Sequence, residues 1–69
     1  MTFGEEVMLQ RKRTGLSQTE LAERVGISRN YVSLIERGRL ETVTLGVLMR
    51  LCDVLDIPRE HLISTLTSG

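Results

Sequence analysis

The sequence predicts an all-α domain in which five short helices share one core. Three observations predict it. Helix-capping residues recur along the chain, glycines stand where the capped segments end, and the apolar residues between these marks repeat at three and four residues, with no segment alternating as a strand does.

Helix 1 opens at Thr2 and Glu5, whose S/T-x-x-E spacing lets each side chain bond the other's backbone N–H. It runs over about 3–14, where the cations Arg11, Lys12 and Arg13 complement the negative end of its dipole and Gly15 can take a left-handed conformation. Ser17 and Glu20 repeat the capping box and open helix 2, about 17–25, which Gly26 stops. Ser28 then offers an N-cap for helix 3, about 28–37, ending at Gly38. Residues 39–43 lack a sustained period and read as a loop. Thr44 caps helix 4, about 44–55, which carries Leu45, Leu48, Leu51, Cys52 and Leu55 at helical spacing. Pro58 suits the first turn of helix 5, about 58–66, where Leu62, Ile63 and Leu66 repeat.

With 69 residues the chain makes one domain, expected to span 1–69, and a chain this short buries only about 60% of the surface its unfolded form exposes, which leaves no room for a large enzyme cleft. Composition is that of an ordinary globular domain, 41% apolar and 26% charged. The single cysteine, Cys52, excludes an internal disulfide, and no apolar stretch follows a basic start. No apolar run approaches the roughly 18 residues of a membrane span. A cytoplasmic protein without membrane contact is expected. Net charge is zero, but residues 1–39 hold seven basic and five acidic side chains, and residues 40–69 two basic and four acidic ones. A cationic first half is compatible with phosphate contact and does not establish it.

The most informative stretch is Gln18 to Arg37, within a motif expected at about 17–38. Leu21 and Val25 lie four apart on one face of helix 2, Val32 and Ile35 three apart on one face of helix 3, and Ile27 sits in the turn between them. Ala22 allows close approach at the crossing, and Gly26 supplies the positive φ that a three-residue turn requires. This is a helix-turn-helix arrangement.

These residues resemble the lambda repressor and Cro type of helix-turn-helix domain, also called the XRE family. The resemblance rests on Gly15-Leu16-Ser17-Gln18-Thr19-Glu20-Leu21-Ala22, on Val25-Gly26-Ile27-Ser28, on Tyr31-Val32-Ser33-Leu34-Ile35-Glu36-Arg37-Gly38 and on helix 4 up to Asp56-Ile57. It implies a compact five-helix, lambda-repressor-like DNA-binding domain whose third helix enters the major groove while helix 2 lies across the phosphate backbone. It further implies that Gln18 contacts a phosphate, that Arg11 pairs with Glu36 as an exposed structural ion pair, and that Arg39 reaches backbone phosphate from the loop.

The residues of helix 3 agree with that implication. With Val32 and Ile35 inward, Arg29, Asn30, Ser33, Leu34 and Arg37 fall on the outer face. Arg29 can bond guanine O6 and N7, Asn30 can pair with adenine N6 and N7, and Leu34 can meet a thymine methyl. Each good bidentate contact contributes about 1–3 kcal/mol of discrimination. Ser28 caps its helix, with phosphate contact as a second role, and Tyr31 packs, with a hydroxyl in reach of phosphate. Arg37 completes the phosphate set.

Plainer readings hold elsewhere. Arg24, Arg50 and Arg59 read as solvated charge. Cys52, on the core side of helix 4, reads as a buried inert thiol. His61 completes neither a metal site nor a Ser-His-Asp arrangement, so no enzyme, metal, cofactor or small-molecule ligand is expected. Leu62, Ile63, Leu66 and the outer side of helix 4 exceed what so small a core can cover, and a dimer contact is their natural use.

The chain departs from the family pattern in two places. Gln10 stands where relatives place a leucine, and Met8 and Leu9 where they place charges; either Gln10 is partly buried, or helix 1 rotates so that Leu9 packs inward and Met8 stays available to a partner. Thr42-Val43 replaces the usual Asn-Pro before helix 4, and Glu41 adds a negative charge to the loop.

The expected function is therefore a bacterial or phage transcriptional regulator, repressor or controller, bound to double-stranded operator DNA. It would act as a homodimer through helices 4 and 5 on an inverted repeat, by blocking or touching RNA polymerase. The alternative is a protein-interaction module or antitoxin subunit that keeps the fold with little DNA binding of its own.

Overall fold

The structure is a computed structural model that describes residues 1–67, with side chains up to Ser64; the side chain of Leu66, counted above in the apolar repeat of the last helix, lies outside the described residues. The described residues form five helices and no strand: α1 Phe3–Arg13, α2 Gln18–Val25, α3 Arg29–Glu36, α4 Leu45–Leu55 and α5 Arg59–Thr67.

Local chemistry starts each of the first four. In α1, Thr2 Oγ1 accepts from Glu5 N at 3.1 Å while Thr2 N donates to Glu5 Oε1 at 2.8 Å. The same reciprocal bonds join Ser17 and Glu20 ahead of α2, at 3.0 and 2.9 Å. Ser28 and Thr44 cap α3 and α4 through single bonds, to Tyr31 N at 3.1 Å and Val47 N at 3.3 Å. Pro58 lies just before α5 and not inside it.

Bonding to the backbone and side chain of Thr2, and of Ser17, holds the Glu5 and Glu20 carboxyls below the usual glutamate value of 4.5. A depressed folded-state value adds stability that is complete above the unfolded value and is lost as pH falls through the lower folded one. The thermal midpoint is therefore expected to fall as pH drops below 4.5, and less steeply in a Glu5→Gln, Glu20→Gln double variant. Identical slopes in melts of the two proteins would show that these carboxylates are not linked to folding.

Burial gathers one core. Phe3 and Val7 of α1, Leu21, Ala22 and Val25 of α2, Val32 and Ile35 of α3, and Leu48, Leu51, Cys52 and Leu55 of α4 are buried together with Ile57 and Leu62, so Leu62 belongs to the core and not to the surplus apolar surface expected from the sequence. α3 packs against both α1 and α2, α4 closes on α2 and α1, and α5 lies on α4 and α1. Burial, and then the neighbouring Asp53 charge, push the Cys52 thiol up, as suits an inert core cysteine. Among the described residues no helix is long and apolar enough to cross a membrane.

Of the two alternatives for helix 1, the structure shows the first, a partly buried Gln10. The inward line of α1 runs through Phe3, Gly4 and Val7, while Met8, Leu9 and Gln10 are all half-buried. The end of α4 has no glycine signal: Asp56 terminates it at φ 59°, a left-handed conformation that Asp tolerates better than most residues.

Candidate nucleic-acid interface

α2 and α3 are joined by residues 26–28. Gly26 adopts φ 85°, and the Ala22 carbonyl accepts from both Gly26 N, at 2.8 Å, and Ile27 N, at 3.0 Å. This doubled bond turns the chain sharply, Ile27 half-buries under the turn, and Ser28 then nucleates α3. Leu21, Ala22, Val25, Val32 and Ile35 are buried between the two helices.

Burying Val32 and Ile35 leaves the opposite face of α3 outward. Arg29 and Asn30, its first two residues, are exposed; Ser33 and Leu34 are half-buried behind them. Arg37 is exposed just past the helix and its Nε reaches the Ser33 carbonyl at 3.4 Å. A cation, a carboxamide, a hydroxyl and an aliphatic side chain thus stand side by side, a set able to address the edge of a base pair.

Beneath this face lies a polar junction. Arg11 Nε donates to Glu36 Oε2 at 2.6 Å, Arg11 Nη2 and Gln18 Nε2 donate to Glu36 Oε1 at 3.3 and 3.0 Å, and Arg11 Nη1 donates to the Leu16 carbonyl at 2.9 Å. The ion pair, expected from the sequence to be exposed, is instead buried: its side chains are only 11% and 4% accessible. One carboxylate therefore ties α1, α2 and α3 together. Gln18 is half-buried at the start of α2, with one amide N–H already committed to this junction.

The segment after α3 is held by Tyr31, whose hydroxyl donates to the Thr42 carbonyl at 2.7 Å. That bond uses the one proton of the phenol, and through it Tyr31 ties the loop to α3. Arg39, on the same loop, is exposed and faces Glu41 at 3.5 Å. A neighbouring acid thus competes with any anion for this cation.

Two residues that position α3 escape the sequence reading. Gly4 lies where a Cβ would stand 2.3 Å from the Ile35 carbonyl oxygen and 2.8 Å from that of Glu36, so α1 meets the end of α3 backbone to backbone. A signal exists, since glycine in the first turn of a helix costs about 1 kcal/mol relative to alanine and needs a reason to be there. Arg50 is not merely solvated charge; its Nη1 donates to the Val25 carbonyl at 2.9 Å, a contact 25 residues apart that local patterns cannot reveal. Arg59 likewise has a partner, Asp53, with Nη2 at 3.2 Å from both carboxylate oxygens, though this pair is exposed. His61 is paired too, with Nδ1 at 2.7 Å from Glu6 Oε2. Away from α3, Leu45 and Ile63 are exposed at 53% and 58% and line an apolar groove between α4 and α5 with Met49, Leu62 and Arg59.

Comparison with known proteins agrees with this geometry. The helix-turn-helix domain family matches the chain over residues 2–63. The chain is similar to the HTH-type transcriptional regulator SinR of Bacillus subtilis (strain 168), 35% identical over 55 residues, and to SinR of Bacillus licheniformis, 34% identical over 55 residues. In both cases the match covers 80% of this chain and 50% of the relative. It is also similar to the uncharacterized HTH-type transcriptional regulator YozG of Bacillus subtilis (strain 168), 35% identical over 51 residues, covering 74% of this chain and 58% of the relative. The chain thus spans about half the length of the curated relatives it matches. No solved structure matches it.

Proposed function

Because the chain belongs to the helix-turn-helix domain family, of the lambda repressor and Cro type, we propose that it regulates transcription by binding an inverted-repeat operator as a homodimer, with α3 in the major groove. The observation that carries this reading is the outward face of α3: Arg29 and Asn30 are exposed immediately after the glycine turn, while Val32 and Ile35 behind them are buried. Nothing in the core needs Arg29, Asn30 or the outer edge of Leu34.

In this reading Arg29 addresses a guanine, Asn30 an adenine and Leu34 a thymine methyl, with Ser33 between them. Gln18, Ser28, Arg37 and Arg39 approach the phosphates, Gln18 helped by the positive end of α2. Tyr31 serves by holding the loop that carries Arg39. The apolar groove around Leu45 and Ile63 would receive a second copy, and an inverted repeat read in successive major grooves would call for half-sites about 34–36 Å apart. Regulation follows from occupancy, by blocking RNA polymerase or touching it.

Selection of duplexes from a random pool, followed by titration at several salt concentrations, tests the proposal. A symmetrical consensus is expected, with log affinity falling by about 0.9 per phosphate contact for each tenfold rise in salt. Arg29→Ala should then lose about tenfold preference at one base pair per half-site, whereas Gln18→Ala should weaken every duplex alike. Zero net charge favours a second reading, in which the same fold binds a protein partner. Failure to bind any duplex in dilute buffer would leave that reading in place of the first.

A further inference from the structure

Val25 is the last residue of α2, and its carbonyl belongs to the group that a helix C-terminus leaves without an intrahelical partner. Arg50 supplies a donor from α4: Nη1 lies 2.9 Å from that oxygen. The same nitrogen is 3.5 Å from where a Cβ on Gly26 would stand, so the guanidinium lies against the turn itself. Its charge also sits at the negative end of the α2 dipole. The turn is therefore gripped on two sides, from within by the Ala22 carbonyl and from α4 by Arg50.

We infer that Arg50 is a positioning residue: from α4 it fixes the turn between α2 and α3 and so sets where Arg29 and Asn30 stand. Only three residues separate Val25 from Arg29, and the turn they form leads straight into the first residue of α3. A shift at Val25 is delivered to the base-reading side chains with little chain to absorb it. The inference rests on the DNA-binding reading above. Direct base contacts need aligned pairs of hydrogen bonds, whereas phosphate contacts through long side chains tolerate displacement. Loss of the grip should therefore erode discrimination more than general affinity.

The test compares Arg50→Met, which keeps the length of the side chain, with Arg50→Lys, which keeps the charge and one usable donor. Each is titrated against the selected operator and against a scrambled duplex of equal length and composition, and backbone amide spectra are recorded without DNA. Arg50→Met is expected to lower operator affinity about tenfold relative to the scrambled duplex, the effect of one hydrogen bond to a charged group. Arg50→Lys should restore most of that ratio, and the amide shifts of Arg50→Met should centre on residues 25–30 at retained fold. Equal losses on both duplexes would instead make Arg50 an ordinary phosphate contact, and amide shifts confined to α4 would also overturn the inference. Should no duplex bind at all, the DNA-binding reading fails, and the amide spectra still decide whether Arg50 holds the turn.

Discussion

Replacing Glu36 with leucine is expected to destabilise the domain by about 3–5 kcal/mol, the cost of removing one member of a buried ion pair. Glu36 Oε2 takes Arg11 Nε at 2.6 Å, and its other oxygen takes both Arg11 and Gln18. Without it the guanidinium stays in a place only 11% accessible, facing leucine in place of a carboxylate. A domain of this length holds roughly 3–10 kcal/mol in total, so the variant should be at the edge of folding. Urea denaturation with an unchanged slope measures the loss. A second replacement, Arg11→Met in the Glu36→Leu background, should recover much of it, because exchanging a whole buried pair for apolar groups is often close to neutral. If Glu36→Leu alone shifted stability by less than about 1 kcal/mol, the junction would not be what joins the three helices.

Gly4→Ala is the second large expectation, and its sign is the informative part. In an open helix the change would stabilise by up to about 1 kcal/mol. Here the added methyl would sit 2.3 Å from Ile35 O and 2.8 Å from Glu36 O, and backbone atoms at the end of a packed helix cannot swing aside. α1 and α3 must part, an overpacking cost of about 3 kcal/mol against which the propensity gain leaves a net loss of about 2. For a domain of this size that lowers the melting temperature by roughly 8–16 °C. Gly46 in α4 provides the control, since a Cβ there meets nothing nearer than Thr44 Oγ1 at 4.0 Å. Gly46→Ala should raise the melting temperature, and a similar rise in Gly4→Ala would mean that the two helices are not in backbone contact.

The all-α class and the helix starts are legible in the sequence because they depend on chemistry within a few residues. Thr2 with Glu5 and Ser17 with Glu20 are recognisable as pairs before any fold is known, and the structure contains both capping boxes. The outward face of α3 follows from the spacing of Val32 and Ile35. What remains hidden involves partners distant in the chain. Burial of the Arg11 and Glu36 pair depends on three helices closing over residues 25 apart, and nothing local distinguishes it from a solvated pair. Arg50 looks like any surface arginine until α4 is laid beside the end of α2. The commitment of the Tyr31 proton to Thr42 depends on where the loop returns. Asp56 shows a different limit, because a non-glycine residue in a left-handed conformation leaves only a weak trace in composition.

The junction at Glu36 has a consequence for how any duplex would be met. With its last turn held by a buried carboxylate and by the backbone of α1, α3 has little freedom to roll or slide in search of a better fit. Mismatch in shape then has to be absorbed by the nucleic acid, through bending or groove compression whose energy depends on base steps that no side chain touches. Under the dimeric binding proposed above, operators would be ranked in part by their flexibility, at positions lying between the half-sites.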